Sequence, residues 1–231
     1  MNFVLLQIIV ESIRTALIWV GFSLGVLRRP DPNASTAWIA GSGVLLTLWL
    51  IVAVFGAANL LLTQNVIPIS VALTLVFGLL LLVFPSYRAI IAAIPAHWLI
   101  VIQVTRVIGG LFLVRYYQGE IPGIFALPAG IGDVLTGIFA PFVAYAVARK
   151  KPYARTAAIV WNIFGMADLV NALALGGLYL DGSLVFPTIL IPLYSVPRAL
   201  VIHIYSLIGL LRRDVQQASS ANGGLTVLAQ A

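Results

Sequence analysis

Three carboxylates and four arginines interrupt long apolar stretches of this sequence, and these are the groups that could bind or react. The clearest case is Asp133, in the middle of the glycine-spaced run LPAGIGDVLTGIFAP. The others are Glu11, Asp168, Arg14, Arg106, Arg115 and Arg198. A charge at the centre of a membrane helix costs about 2.5–3.5 kcal/mol on insertion scales, so such residues are usually paired or line a polar cavity.

The composition indicates that lipid is the solvent for most of the chain. Of its 231 residues, 61% are hydrophobic and 9% are charged, against about 45–50% and about 25% in soluble domains. One soluble core could not hide so much apolar surface, so the lipid bilayer is the expected partner. The chain has no cysteine, which excludes disulfides, thiol nucleophiles and thiolate metal sites.

Hydrophobic runs long enough to span a bilayer, about 20 residues each, recur seven times. They cover residues 3–27, 37–62, 66–84, 97–117, 123–148, 156–180 and 184–211. The sequence therefore predicts an all-α, polytopic membrane bundle of seven transmembrane helices. We expect this domain to occupy residues 1–213 and the polar, small-residue segment 214–231 to be a disordered cytoplasmic tail.

The basic residues predict the orientation of the bundle. Nine of the thirteen fall in alternate connections and in the tail: Arg28, Arg29, Arg88, Arg149, Lys150, Lys151, Arg155, Arg212 and Arg213. The positive-inside rule assigns that side to the cytoplasm, with the N-terminus outside and the C-terminus inside. The net charge of +6 is thus explained by topology in a bacterial plasma (inner) membrane, without a nucleic-acid partner.

Four of the intramembrane charges are predicted to lie at a similar depth. Counting about 1.5 Å per residue from the cytoplasmic helix ends gives roughly 20 Å for Arg14 and Arg198, roughly 22 Å for Asp133 and roughly 18 Å for Asp168. Glu11, three residues before Arg14, shares its helical face. Two cations and two anions from four helices would therefore form one ligand-binding site, or ion pairs of Asp133 or Asp168 with Arg198 that only fix helix packing.

Further polar and small residues are predicted to support this site. Arg106 and His203 share a second level at roughly 12 Å, and Asn171 continues a stripe from Gly165 and Asp168. Gly130 and Gly137 flank Asp133 at helical spacing, which favours close helix packing. The last span carries Pro187, Pro192 and Pro197, which can kink it.

Two short motifs carry a chemical suggestion. GIGD, from Gly130 to Asp133, resembles the GxGD signature of intramembrane aspartyl proteases such as presenilin and signal-peptide peptidase. That resemblance implies a proton-sharing pair of aspartates with Asp168 as the partner, although in those families the partner precedes GxGD and a PAL motif follows it. In addition, GIGDVLTGIFA and GMADLVNALAL align around their aspartates, like an inverted repeat.

The sequence leaves three functions open. The segments RYYQGEIPGIFALPAGIGDVLTG and VWNIFGMADLVNAL resemble small bacterial integral membrane proteins without an assigned function. The leading hypothesis is binding or transport of a small, anionic solute held by Arg14 and Arg198, with Asp133 and Asp168 balancing them or carrying a coupling proton. The alternatives are an intramembrane aspartyl protease and a non-catalytic structural subunit. No metal-ligand spacing is present, so no metal and no cofactor are predicted.

Overall fold

A computed structural model of the chain describes residues 3–28, 35–180, 182 and 184–228. Over these ranges the chain forms nine α-helices and no strand, so the predicted all-α class is confirmed. The helices are α1 (Phe3–Leu27), α2 (Ser35–Ala58), α3 (Ile67–Leu81), α4 (Pro85–Ala93), α5 (Ala96–Val101), α6 (Gly110–Tyr117), α7 (Gly123–Ala148), α8 (Ala154–Tyr179) and α9 (Val196–Leu228).

Seven helical stretches of the described chain are long and apolar enough to cross a membrane, as predicted. They are Phe3–Leu27, Thr36–Ala58, Gln64–Leu81, Ala96–Tyr117, Gly123–Ala148, Ala154–Tyr179 and Ile191–Arg212. Their outer faces expose large apolar side chains such as Leu48, Phe55 and Phe142, each more than half exposed. Apolar surface of this extent suits lipid rather than water.

Two features differ from, or go beyond, the predicted spans. The short helix α4 lies between the third and fourth spans and begins with Pro85 at its first turn, a position that proline favours. At the other end, α9 continues past residue 213 as far as Leu228, and residues 229–231 of the predicted tail lie outside the described residues. The division of the chain at residue 213 stays a prediction.

The bundle is built around the start of α9. Every residue from Thr188 to Leu200 is buried, and α3 and α8 pack against α9. On one side, α7 packs along α8 and along the fourth span. On the other side, α1 packs against α2 and α4. Polar side chains that project from these facing surfaces are consequently forced into the centre of the bundle.

Two helical spans are irregular near the centre of the bundle. The fourth passes from α5 through a 3₁₀ helix, Ile102–Gly109, into α6. The seventh begins with a π-helical turn, Ile191–Ser195. Pro197 has no N–H to offer the Leu193 carbonyl, and the Ser70 hydroxyl of α3 donates to that carbonyl instead, at 2.7 Å. The interruption is therefore compensated inside protein, as backbone at membrane depth requires.

Exposed basic side chains gather at one end of the alternating spans, called here the basic end. They are Arg28, Arg88, Arg149, Lys150, Lys151, Arg155 and Arg212. Arg29, which the sequence assigns to the same side, lies outside the described residues. The assignment of this end to the cytoplasm stays a prediction.

Candidate functional site

Six charged side chains inside the spans form two separate buried groups. The groups are the aspartate cluster (Arg106, Asp133 and Asp168) and the glutamate cluster (Glu11, Arg14 and Arg198). The seventh predicted intramembrane charge, Arg115, lies near the end of α6 and pairs with Glu120 at 2.6 Å.

Arg106 is the centre of the aspartate cluster and is only 2% exposed. Its Nε donates to Asp133 Oδ1 at 2.7 Å, and its Nη2 donates to Asp168 Oδ2. Its Nη1 donates to the Gly165 carbonyl at 3.1 Å and to His203 Nε2 at 3.2 Å. Four of the five guanidinium N–H groups are thus used, and they connect the 3₁₀ helix to α7, α8 and α9.

The hydrogen bonds around His203 define its tautomer. Arg106 can only donate, so His203 Nε2 must accept, and the ring proton lies on Nδ1. That Nδ1–H donates to Asn162 Oδ1 at 2.9 Å, while the Asn162 amide donates to Ser206 Oγ at 3.1 Å. His203 is therefore a neutral, fully buried imidazole whose two nitrogens are both engaged. Within the described residues no three His, Asp or Glu side chains gather in a way that could hold a metal ion.

Two glycines leave the space that the aspartates occupy. A Cβ atom on Gly132 would overlap the carboxylate of Asp168, and a Cβ on Gly109 would overlap the side chain of Asp133. The second glycine of GIGD therefore admits the aspartate of the neighbouring helix. The motif has a steric role here that does not depend on catalysis.

Two further glycines allow close packing, Gly165 against side chains and Gly137 against the backbone of the 3₁₀ helix. A Cβ on Gly165 would lie 2.6 Å from the His203 ring and 3.0 Å from Arg106 Nη1. A Cβ on Gly137 would lie 2.8 Å from the backbone nitrogen of Val107. The small-residue stripe predicted on α7 accordingly lies against the 3₁₀ helix, at a separation that a larger residue would prevent.

Asp133 and Asp168 meet at one guanidinium rather than at each other. Among the hydrogen bonds of the described chain, none joins the two carboxylates. An aspartyl-protease pair shares one proton between adjacent carboxylates, whereas here the Arg106 guanidinium bridges the two carboxylates. The two aspartates that align in GIGDVLTGIFA and GMADLVNALAL are thus the two that bind Arg106. With both aspartates ionised, the cluster carries one net negative charge.

Glu11 is the acceptor at the centre of the glutamate cluster and is fully buried. Arg198 Nη2 donates to its Oε2 at 2.9 Å. Its Oε1 accepts from the Ser195 hydroxyl and from Gln7 Nε2, the latter at 3.1 Å. The carboxylate therefore has a close cationic partner and two neutral donors, all supplied by α1 and the start of the seventh span.

Arg198 is held by the π-helical turn and by α1. Its Nε donates to the Tyr194 carbonyl at 3.0 Å, and its Nη1 donates to Thr15 Oγ1 at 3.1 Å. The guanidinium carbon lies 3.4 Å from the centre of the Tyr194 ring, a cation–π contact. With the bond to Glu11, Arg198 uses three of its five N–H groups, and two remain for another acceptor.

Among the three arginines of the two clusters, Arg14 is the one with no described carboxylate at hydrogen-bonding distance. It is 4% exposed, and within the described chain its one hydrogen bond runs from Nε to Thr105 Oγ1, at 2.7 Å. Its Nη1 lies 3.9 Å from Glu11 Oε1, too far for a hydrogen bond. Because Glu11 is already matched by Arg198, the glutamate cluster carries one net positive charge. A buried charge without a matched partner is costly.

The structure corrects the predicted pairing of the intramembrane charges, while their common depth stays a prediction. Neither aspartate pairs with Arg198 in the described chain; both pair with Arg106, which the sequence interpretation had placed one level lower. That interpretation assumed 1.5 Å per residue, but the 3₁₀ helix Ile102–Gly109 rises about 2.0 Å per residue and carries Arg106 further. The long arginine side chain covers the remaining difference.

The predicted contribution of Asn171 is also corrected. Asn171 is exposed, and the buried asparagine of α8 is Asn162. At about 100° per residue, these two positions lie about 180° apart around the helix. A row of residues spaced by three therefore turns from the buried face at Asn162 and Gly165 to the outer face at Asn171.

Two cavities lie toward opposite ends of α1. The basic-end cavity, of about 460 Å³, includes Ile18 of α1 and Arg198 in its wall. The far-end cavity, of about 450 Å³, includes Val4 of α1 together with Arg115 and Thr188, which are joined by a hydrogen bond of 3.0 Å. The basic-end cavity thus reaches the glutamate cluster at Arg198, whereas no member of the cluster lines the far-end cavity.

One face of α1 connects these two cavities. Val4, Gln7, Glu11, Arg14 and Ile18 follow one another at spacings of three and four residues, and so lie on the same helical face. This face is about 21 Å long at 1.5 Å per residue. Its apolar ends line the two cavities, and its polar middle contributes Glu11 and Arg14 to the glutamate cluster.

The comparisons with known proteins identify a family without an activity. The profile of the family Domain of unknown function (DUF8737) matches residues 62–211. This region contains all of the aspartate cluster and Arg198, whereas Glu11 and Arg14 precede it. No curated protein and no solved structure matches the chain.

Proposed function

The chain belongs to the family Domain of unknown function (DUF8737), and we propose that it binds a small anionic solute within the membrane and carries it across. The observation that carries this proposal is Arg14. A buried guanidinium with one hydrogen bond and no carboxylate within hydrogen-bonding distance is a site that an anion would complete. Guanidinium groups match carboxylate and phosphate oxygens especially well.

The surroundings of Arg14 support passage as well as binding. Arg198 of the glutamate cluster lines the basic-end cavity, so an anion held in the cluster can enter from that side. The far-end cavity begins at Val4, about two helical turns of α1 before Glu11. The adjoining π-helical turn and proline give the seventh span an interrupted start. Interrupted helices beside a central binding site are a recurrent feature of secondary transporters. We assign the basic end to the cytoplasm by the positive-inside rule.

The aspartate cluster has the opposite role in this proposal. Its one excess negative charge would be balanced by a proton, so Asp133 or Asp168 is the group that carries a coupling proton. Their side chains are almost equally exposed, at 8% for Asp133 and 7% for Asp168. The competing role, in which the cluster only holds α7, α8 and the 3₁₀ helix together, is favoured by the nearly complete hydrogen bonding of Arg106.

Uptake of radiolabelled benzoate into liposomes containing the full chain tests the proposal, because benzoate is a small anion with a compact apolar body. Neutral benzoic acid also crosses bilayers unaided, so uptake by protein-free liposomes is subtracted throughout. We expect the wild-type chain to add a saturable, faster uptake of benzoate under an inward proton gradient. Arg14→Gln should abolish that uptake, since the excess positive charge is gone. Asp168→Asn should leave exchange of benzoate intact but remove its response to the gradient.

Arg88→Gln is the matched control for Arg14→Gln. Arg88 is an exposed arginine of α4, outside both clusters and outside the walls of the cavities described. Uptake should therefore match that of the wild type. Equal benzoate uptake by Arg14→Gln and Arg88→Gln would reject the proposed function. An unchanged response to the proton gradient in Asp168→Asn would reject the coupling role alone and leave the packing role.

A further inference from the structure

The basic-end cavity extends into a long crevice between α2 and α3. A second cavity, also of about 460 Å³, continues it away from the basic end. The two cavities share Leu45 and Trp49 of α2 and Thr74 and Phe77 of α3 in their walls. Each volume falls within the range of about 300–1,000 Å³ that is typical of small-molecule sites.

This crevice opens through the side of the bundle. Leu45 and Phe77, which line both cavities, are 50% and 47% exposed. The neighbouring helices explain the gap, because α2 packs against α1 while α3 packs against α9. In a membrane, the surface at this opening faces hydrocarbon, so the crevice is accessible from the bilayer.

The wall of the basic-end cavity is apolar and aromatic. Phe22, Trp38 and Trp98 contribute to it along with Trp49, and Arg198 is the one charged residue among its described lining residues. Tyr87 adds no charge, because burial raises the pKa of its phenol even though it is hydrogen-bonded to a neighbouring tyrosine hydroxyl. The cavity therefore combines a hydrophobic interior with a single cation at one wall.

Arg198 has the capacity to bind an acid group from this cavity. Three of its five N–H groups are used by Glu11, Thr15 and the Tyr194 carbonyl, which leaves two. The cluster to which it belongs has one more cation than anion. An occupant whose acid group reaches Arg198 and whose apolar part fills the crevice would match both the charge and the surface.

We infer that the anion bound by this protein is a single-chain carboxylate with a long apolar tail, which enters from the bilayer between α2 and α3. This inference rests on the proposed function, because it uses the positive charge of the same cluster. The carboxylate lies against Arg198, and the tail lies along Leu45, Trp49 and Phe77. The apolar wall of the crevice favours burial of the tail. One carboxylate balances the single excess positive charge of the glutamate cluster.

Tryptophan quenching by 9,10-dibromostearate tests this inference, since bromine quenches indole fluorescence on contact and Trp38, Trp49 and Trp98 line the crevice. The full chain in liposomes is titrated with the acid and, separately, with its uncharged methyl ester. We expect saturable quenching by the acid, at least fivefold stronger than by the ester at equal mole fraction. Arg198→Gln should remove that preference for the acid over the ester. In this variant Glu11 still has Arg14 as a neighbouring cation.

A second pair of variants keeps the test independent of Arg198. Gly41 lies in the cavity wall, and a Cβ on it meets nothing within 4 Å, so Gly41→Phe fills the crevice without a clash at Cβ. We expect it to weaken quenching by the acid at least fivefold. Gly177→Phe is the matched control, because Gly177 has the same open surroundings but does not line the crevice, and it should leave quenching unchanged.

The outcomes separate this inference from the proposed function. Equal quenching by acid and ester, or undiminished quenching in Gly41→Phe, would mean that the crevice holds ordinary lipid and would overturn the inference. Absence of quenching by the acid would overturn it too. If benzoate uptake still depended on Arg14 in either case, the proposed function would stand with a tail-free anion. Loss of that dependence would reject both.

Discussion

The two buried clusters are each built around arginine, but they differ in how far their charges are matched. Arg106 makes four hydrogen bonds and contacts two carboxylates. Arg14 makes one hydrogen bond within the described chain, and its nearest carboxylate lies at 3.9 Å. A saturated arginine has little left for a ligand, whereas an unsaturated one has bonds to offer. The difference is the reason that the proposed function places the anion at the glutamate cluster and not at Arg106.

The clusters also differ in the sign of their excess charge. The aspartate cluster has two anions and one cation, and the glutamate cluster has two cations and one anion. Seen together, the six charges sum to zero, which lowers the cost of placing them in hydrocarbon. Separation of the charges into two sites still leaves one group with an excess cation beside α1 and one group with an excess anion between α7 and α8.

The largest expected effect is the loss of both carboxylates from Arg106. Asp133→Asn or Asp168→Asn alone leaves one ion pair, so we expect a modest loss in the free energy of unfolding. The double variant leaves a buried, unpaired guanidinium, and breaking such a pair costs about 3–5 kcal/mol. Reversible unfolding in mixed detergent micelles of the wild type, the two single variants and the double variant gives the coupling free energy between the two aspartates.

We expect the double variant to lose much more unfolding free energy than the sum of the two single losses. If the double variant lost only the sum of the two single losses, Arg106 would have found other partners and would not be the centre of the cluster. Arg88→Gln, far from both clusters, should unfold like the wild type.

A smaller effect is expected from the glycines that admit the aspartate cluster. Gly165→Ala would press a methyl group onto His203 and Arg106, and overpacking of this kind costs about 1–3 kcal/mol. Gly177→Ala on the same helix meets nothing within 4 Å and should instead gain about 0.5–1 kcal/mol from helix propensity. Thermal unfolding of the two variants should thus move in opposite directions; a gain for both would mean that the space beside Gly165 is not needed.

The sequence predicts the membrane helices well because its signals are summed over many residues. Long apolar runs determine the seven spans, and single errors hardly matter. The end of the second span shows the size of those errors, because the span was predicted to end at residue 62 and α2 ends at Ala58. The short helix α4, with no comparable apolar run, gave no such signal.

The membership of the two clusters could not be predicted in the same way, because it depends on geometry that the residue order does not reveal. The 3₁₀ helix and the length of the arginine side chain together bring the Arg106 guanidinium to the aspartates. The helical rotation between Asn162 and Asn171 places Asn171 on the outer face of α8. Asn162 was not selected from the sequence, although it precedes Gly165 by three residues, the spacing that relates Gly165 to Asp168. Thr15, four residues after Glu11, had a detectable signal in the polar face of α1. The π-helical turn that presents Ser195 had none beyond its prolines.

The smallest expected change in stability is that of Arg14→Gln, and this sharpens the contrast between the two arginines. The variant removes an unmatched buried charge while glutamine can still reach Thr105, so the free energy of unfolding should stay within about 1 kcal/mol of the wild type or rise. Arg106→Gln is the matched variant, and it should lose about 3–5 kcal/mol because two buried carboxylates lose their cation. Unfolding in mixed micelles compares them directly. A loss for Arg14→Gln as large as that for Arg106→Gln would mean that Arg14 is as fully paired as Arg106, leaving no vacant bonding capacity for an anion.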